Sequence, residues 1–264
     1  MLDLRRCRAI GMVQPAPLPG SYRHKDTPFA AILDAVLEEA GVLAECSFDA
    51  VILQNMGDMP IRQHSRPEAI AYMAVIARAI KQAFPKMMLG VLINWDGVAS
   101  LSVAEAAGAD FVRVEHVYNG AEVTSAGLIQ AQCCEILDLK KRTGSDIPIT
   151  ADIYEPHGVP LGRLSIEDAA WQAVHETFAD GLFLSGHDAT ESIELAKHAR
   201  TRVPGVPVFL GGGATGDNVA QLAQYFDGIC VATWIKNGNM GNPIDRDRAK
   251  LFVERIRTAK LGGI

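Results

Sequence analysis

The sequence predicts an α/β fold of the TIM (β/α)8 barrel type, forming a single domain over residues 1–264. Three observations predict it. Eight short β-rich runs recur along the chain, each followed by a longer stretch of helical periodicity. The length suits one barrel, which commonly reaches about 250 residues as a single unit, better than two small domains. No Pro/Gly/Ser-rich linker, charge block or low-complexity tract interrupts the series.

The expected strands are Arg8–Gln14, Ala50–Asn55, Met87–Asn94, Asp110–Glu115, Ile147–Ile153, Gly181–Ser185, Val206–Leu210 and Gly228–Thr233. The first helix carries Ile32, Leu33, Val36, Leu37 and Ala40 on one stripe, with Thr27 expected as N-cap and Pro28 at the first helical position. The second opens at Pro67, buries Ile70, Met73, Ile76, Ala77, Ile80 and Phe84, and is stopped by Pro85. A short third helix spans about Ser100–Ala107, and later helices are expected to begin near Gly127, Ser165, Thr190, Thr215 and Asp245. The loops Pro15–Asp26 and His116–Ala126 are longer than a connection needs. They follow strands one and four, so they lie on the carboxyl-end face where barrel enzymes keep their chemistry.

Composition narrows the function classes. Apolar residues make up 48% and charged residues 21%, which excludes wholesale disorder. Lys and Arg total 25 against 31 Asp and Glu, a net charge of −6. Non-specific nucleic-acid binding needs a basic footprint, so nucleic acid is not an expected partner. A small anion in one local pocket stays compatible with that charge. The longest apolar runs, such as Met87–Ile93, are strand-sized, and a membrane-spanning helix needs about 20 such residues. With no apolar stretch of signal-peptide length after the charged amino terminus, the expected location is cytoplasmic. The five cysteines include no Cys-x-x-Cys pair and are expected to be reduced thiols.

Strand alternation then picks out side chains for the barrel mouth. In the fifth strand Ile147, Ile149, Ala151 and Ile153 suit the helix layer, which turns Thr150, Asp152 and Tyr154 inward. In the fourth, Val112 and Val114 face the helices, which leaves Arg113 and Glu115 inside. Asn94 ends strand three, and Gln54–Asn55 ends strand two. These polar ends converge on one rim. Asp152 is the expected general base, solvated in an open mouth, with Glu115 or His157 as proton donor. Asn55 and Asn94 are expected to orient ligand hydroxyls. The competing reading is an ionic network, Arg113 with Glu115 or Asp152, that fills the barrel.

Gly211-Gly212-Gly213-Ala214-Thr215 follows strand seven, and strand eight runs into Thr233-Trp234-Ile235-Lys236. Loops seven and eight form the usual phosphate corner of a barrel. Gly211, Gly212 and Gly213 offer close backbone amides there, and Thr233 and Lys236 add a hydroxyl and a charge. His116, His157 and His187 follow strands four, five and six. His116 and His187 are read as substrate-binding. No metal is expected, since tight ligand spacing such as His-Glu-x-x-His is missing. Strands four to six carry no lysine, which argues against Schiff-base chemistry. Walker, Gly-x-Ser-x-Gly and dinucleotide fingerprints are also missing, and no cofactor is expected.

Several motifs carry a family resemblance. They are Ile10-Gly11-Met12-Val13-Gln14-Pro15-Ala16-Pro17-Leu18-Pro19-Gly20, Gln54-Asn55-Met56-Gly57-Asp58-Met59-Pro60, Ala151-Asp152, the stretch from Asn119 to Ile129, Gly186-x-x-Ala189-Thr190, Val231 to Lys236, and Asn242-Pro243-Ile244-Asp245. Together they span about residues 9–257 and resemble the BtpA/SgcQ family. The resemblance implies a TIM barrel. One member is linked to stabilising photosystem I, and another is encoded beside sugar-uptake genes. The family is described as handling phosphosugars or nucleotides. This sequence departs from the family pattern at Gln14 and Tyr154, where members carry histidine, and at Gln54, where they carry an acid. Glu115 stands where many have asparagine, and Ser125-Ala126 replaces Asp-Gln.

The expectation is therefore an enzyme acting by acid–base chemistry, without a Schiff base, on a small phosphorylated sugar- or nucleoside-derived ligand. The reaction type is isomerase, epimerase or lyase, and self-association is allowed for. The alternative is a non-catalytic assembly or regulatory factor, as in photosystem I biogenesis.

Overall fold

The computed structural model describes residues 3–6, 8–115, 118–162 and 164–259. Eight strands close into a parallel barrel: β1 (Ala9–Val13), β2 (Ala50–Gln54), β3 (Met88–Leu92), β4 (Phe111–Val114), β5 (Ile149–Tyr154), β6 (Gly181–Leu184), β7 (Val208–Leu210) and β8 (Gly228–Val231). They neighbour one another in chain order, and β8 pairs back onto β1 with Ile10 opposite Cys230. The intervening helices are α1 (Phe29–Glu45), α2 (Pro67–Ala83), α3 (Gly97–Ala107), α4 (Cys133–Thr143), α5 (Ile166–His175), α6 (Ala189–Arg202), α7 (Val219–Leu222) and α8 (Arg246–Thr258). All eight expected strands are present.

Alternation along each strand sorts the side chains into two cores. Val112, Val114, Ile149 and Ala151 join the large core between barrel and helices. Ile10, Met12, Ile52, Phe111, Phe183 and Phe209 fill the lower barrel, with Leu4 packed among them. Phe183 and Phe209 stack with ring centroids 5.0 Å apart. This apolar filling makes the barrel a packed core, so only its upper layer is left for polar groups.

Three local expectations are corrected. Thr27 does not cap α1: the cap position is the extended Pro28, whose carbonyl takes the first amide bonds, and no side chain caps it. Gly127 does not open a helix. Gly127–Gln130 is a strand, paired antiparallel with Ala121–Thr124, which also pairs with Val159–Pro160. Burial alternates there, Leu128 exposed and Ile129 buried, which is the strand period, and α4 begins only at Cys133. Tyr154 does not follow Asp152 inward. The pairing of β5 with β6 shifts register between these two residues, and a bulge of this kind re-aims the next side chain. The Tyr154 hydroxyl donates to Glu191 on α6 instead.

The start signals at Pro67, Ser165 and Asp245 hold. Pro67 is the first residue of α2, and the Ser165 and Asp245 side chains accept from amides of α5 and α8. Thr215 closes a turn with Asn218, four residues before the single-turn α7.

Candidate functional site

The upper layer of the barrel is built around Arg113. Its Nε donates to Asp152 Oδ2 at 3.0 Å and its Nη2 to Oδ1 at 3.1 Å, a two-pronged clamp between neighbouring strands β4 and β5. A second carboxylate, Glu115, lies 3.7 Å from Nη2. Nη1 reaches the Gly211 carbonyl, and the guanidinium sits over the Phe183 ring at 4.5 Å. Burial opposes the charge on Arg113, but Asp152 and Glu115 together outweigh it and hold the proton more firmly than usual. The chain of contacts continues through Gln54, which donates to Glu115, to Gln14, which donates to Gln54. Two of the departures from the family pattern thus become neutral links in this network.

Asp152 is only 3% exposed, so it is not the solvated carboxylate expected from the sequence. The physical reason is Arg113, which draws the carboxylate down into the barrel and occupies both its oxygens. Glu115 is the half-buried carboxylate of the pair.

The expected phosphate corner is arranged differently from the sequence reading. Lys236 is 1% exposed, and its Nζ donates to Glu39 Oε1 on α1 at 2.6 Å and to the Met240 carbonyl. Its charge is spent on partners inside the protein. The Gly211 amide donates to the Leu184 carbonyl, continuing the β-ladder. A Cβ on Gly211 would lie 2.6 Å from Arg113 Nη2, so the missing side chain makes room for the guanidinium. Gly212 and Gly213 follow in the loop after β7, and Thr233 is exposed with its hydroxyl on Met240 Sδ.

His157 and His187 do not converge on the clamp. His157 is exposed beyond β5, its amide bonded to Glu155. His187 is exposed and pairs with Glu191 through Nδ1 at 2.8 Å. Glu191 also accepts from the His187 amide and Tyr154, and these bonds hold its carboxyl below the usual range, the His187 amide contributing most. His116 lies outside the described residues. Among the described residues, no three His, Cys, Asp or Glu side chains are grouped to hold a metal ion.

Asn55 and Asn94 are brought together. Asn94 Nδ2 donates to the Asn55 carbonyl, and Asn55 Nδ2 donates to Asp58 Oδ2. Asn94 takes a left-handed backbone (φ +37°), an uncommon conformation at the end of a strand. Both residues line a cavity of about 420 Å³. Its other walls include Gly20 and Ser21 from loop one, Arg62 and Ser65 from loop two, and the first turn of α2. The two loops are locked together. Leu18 N–H donates to Asp58 Oδ1, and a Cβ on Gly57 would meet the Pro17 nitrogen at 3.0 Å. Loop two, between Gln54 and Pro67, was not singled out as a wall by the sequence reading. Its signal was present in Arg62 and Arg66 just ahead of a helix-opening proline.

A family model, the BtpA family, matches residues 6–258. The chain belongs to the BtpA family. An uncharacterized protein of Thermococcus kodakarensis is 36% identical over 266 residues, covering all of both chains. The photosystem I biogenesis protein BtpA of Synechocystis is 34% identical over 255 residues, 94% of this chain and 87% of that one. The sgc region protein SgcQ of Escherichia coli is 29% identical, over 85% of this chain and 84% of that one. Among solved structures, a tryptophan synthase structure from Mycobacterium tuberculosis matches with a TM-score of 0.63 at 14% identity, covering 96% and 93% of the two chains. The N-(5'-phosphoribosyl)anthranilate isomerase of Pyrococcus furiosus matches at 0.55 and 16%, covering 95% and 98%. At such identities the likeness establishes the barrel fold. The two motifs that opened the family resemblance, Ile10–Gly20 and Gln54–Pro60, are the ones that supply loops one and two of the cavity. No helix among the described residues is long and apolar enough to cross a membrane.

Proposed function

We propose that this BtpA-family barrel is an enzyme acting by acid–base chemistry on a small phosphorylated, polyhydroxylated ligand. One observation carries the reading. Glu115, a half-buried carboxylate, is held at the mouth by Arg113 and Gln54, and the residue after Gln54 lines a ligand-sized cavity. Cavities of a few hundred Å³ with a few convergent polar groups are the usual form of a small-molecule site. Glu115 is the proton-transfer group in this reading. Asp152 acts through Arg113, fixing the guanidinium so that positive charge faces Glu115. An isomerase, epimerase or lyase needs such a group near a substrate C–H or O–H. Gly212, Gly213 and Thr233 belong to the corner the sequence points to for the phosphate, and Lys236 and Gly211 hold their loops in place.

The experiment is a thermal-shift screen of phosphorylated sugars and nucleosides, with hits confirmed by calorimetry and then assayed for turnover. Glu115→Gln should keep binding within a few-fold and lower turnover by about 10²–10⁴, the range for general acid–base catalysis. A screen without any phosphorylated hit overturns the reading.

The alternative, a non-catalytic assembly factor, has one observation of its own. Val123 stands opposite Leu128 on one side and Val159 on the other in the small antiparallel sheet, and all three are exposed. Contiguous exposed apolar residues mark contact surfaces in many proteins. The name of the Synechocystis relative, a photosystem I biogenesis protein, points the same way.

A further inference from the structure

The cavity beneath loops one and two contains more unmet hydrogen-bonding capacity than packing explains. Asn55 and Asn94 are 3% and 4% exposed, and the Oδ1 of each is buried without a partner among the described residues. Their orientation is fixed by their nitrogens. One nitrogen donates to a carboxylate and the other to a carbonyl, neither of which could accept from an oxygen. Two amide oxygens are thus left as acceptors. The Ser21 hydroxyl, also of a residue lining the cavity, is likewise buried without a partner among the described residues. Buried polar groups are nearly always satisfied, so these three positions call for a ligand rich in O–H groups.

The far side of the same cavity is suited to an anion. The 17-residue helix α2 begins there, with Arg66 at the cap position and no side-chain cap among the described residues. Glu68 and Ala69, in that first turn, line the cavity. An uncapped first turn presents free N–H groups and the positive end of the helix dipole. The carboxylates nearby are already engaged. Asp58 accepts on both oxygens, and Glu68 lies 3.9 Å from Arg66. Arg62 is exposed at the rim and makes no side-chain hydrogen bond or ion pair among the described residues.

We infer that this cavity is the specificity pocket for a polyhydroxy anion: Asn55 and Asn94 accept from two ligand hydroxyls, and Arg62 with the first turn of α2 takes the anionic group. The assignment rests on the phosphorylated-ligand reading above and deepens it, because it moves the anion from the β7–β8 corner to the start of α2. The buried Lys236 and the ladder-bonded Gly211 amide agree with that move.

Calorimetry with three probes tests it: ribose 5-phosphate, ribose and inorganic phosphate. Arg62 and Arg66 are exposed, so Arg62→Gln/Arg66→Gln is expected to leave the fold intact. It should weaken ribose 5-phosphate and inorganic phosphate by about tenfold or more and leave ribose unchanged, as expected when at least one charged contact is lost. Asn55→Ser should weaken the two ribose-bearing probes and spare inorganic phosphate. Unchanged ribose 5-phosphate affinity in the arginine double variant overturns the pocket assignment and leaves the broader reading standing. A parent protein that binds neither ribose 5-phosphate nor inorganic phosphate overturns the pocket assignment, and the phosphorylated-ligand reading falls with it only when the wider screen also yields no phosphorylated hit.

Discussion

Arg113 and Asp152 meet through two hydrogen bonds of 3.0 and 3.1 Å, both residues almost fully buried. At that depth each charge is compensated chiefly by the other, with Glu115 also 3.7 Å from the guanidinium. Removing one member of a buried pair strands its partner and costs about 3–5 kcal/mol.

Asp152→Asn should therefore destabilise the protein by about 3 kcal/mol, near the lower end of that range because Glu115 stays close to Arg113. For a barrel of this size that is a fall of roughly 6–12 °C in melting temperature. Thermal melts followed by circular dichroism read this without any substrate. A melting temperature within 2 °C of the parent, on the scale of roughly 2–4 °C per kcal/mol, would remove Asp152 from its anchoring role.

Gly211→Ala tests the same network from β7. Its Cβ would enter the space of Arg113 Nη2 and of Ser185 Oγ, the latter 3.0 Å away. Arg113 is clamped and cannot swing aside, so an overpacking cost of about 1–3 kcal/mol is expected. Chemical denaturation measures it. Combining this change with Arg113→Met should recover part of the loss, and strictly additive penalties would show that the contact is unimportant.

Lys236→Met should strand Glu39, whose second oxygen is already buried without a partner among the described residues. A loss near 3 kcal/mol is expected at neutral pH. Burial pushes the Glu39 carboxyl above its ordinary value of about 4.5, against the pull of Lys236. A raised folded pKa means the folded state holds the proton more tightly, so this contribution favours folding at low pH and fades as pH rises through the folded value. Without Lys236 the upward push is larger. The gap between variant and parent should narrow as pH falls from 7 towards 4.5, and a gap that is flat with pH would rule Glu39 out as the stranded group.

Thiol labelling reports on the same interior. Cys230 is buried beneath Arg113, and burial pushes its thiol up to about 12. Cys134 is exposed on α4. A Cys-specific chromogenic reagent at pH 8 should modify Cys134 rapidly and Cys230 only on unfolding. Fast labelling of Cys230 in the native protein, identified by mass spectrometry, would contradict the packed barrel interior.

The sequence by itself determined the barrel, its eight strands and the inward direction of Arg113, Asp152 and the polar strand ends. These follow from hydrophobic period and strand alternation, which a chain carries locally whatever lies across from it. The choice of partner is different. Lys236 and Glu39 are 197 positions apart, and nothing near either residue in the chain announces the other. Asp152 lost its expected solvation to a neighbour on the next strand, and Tyr154 lost its inward direction to a bulge in the β5–β6 pairing. The cavity arose where loop one locked onto loop two at Gly57 and Asp58, and the start of α2 closed its far side. Which charges are spent internally and which amides stay unmet is settled by proximity between distant segments, so only the tertiary structure decided it.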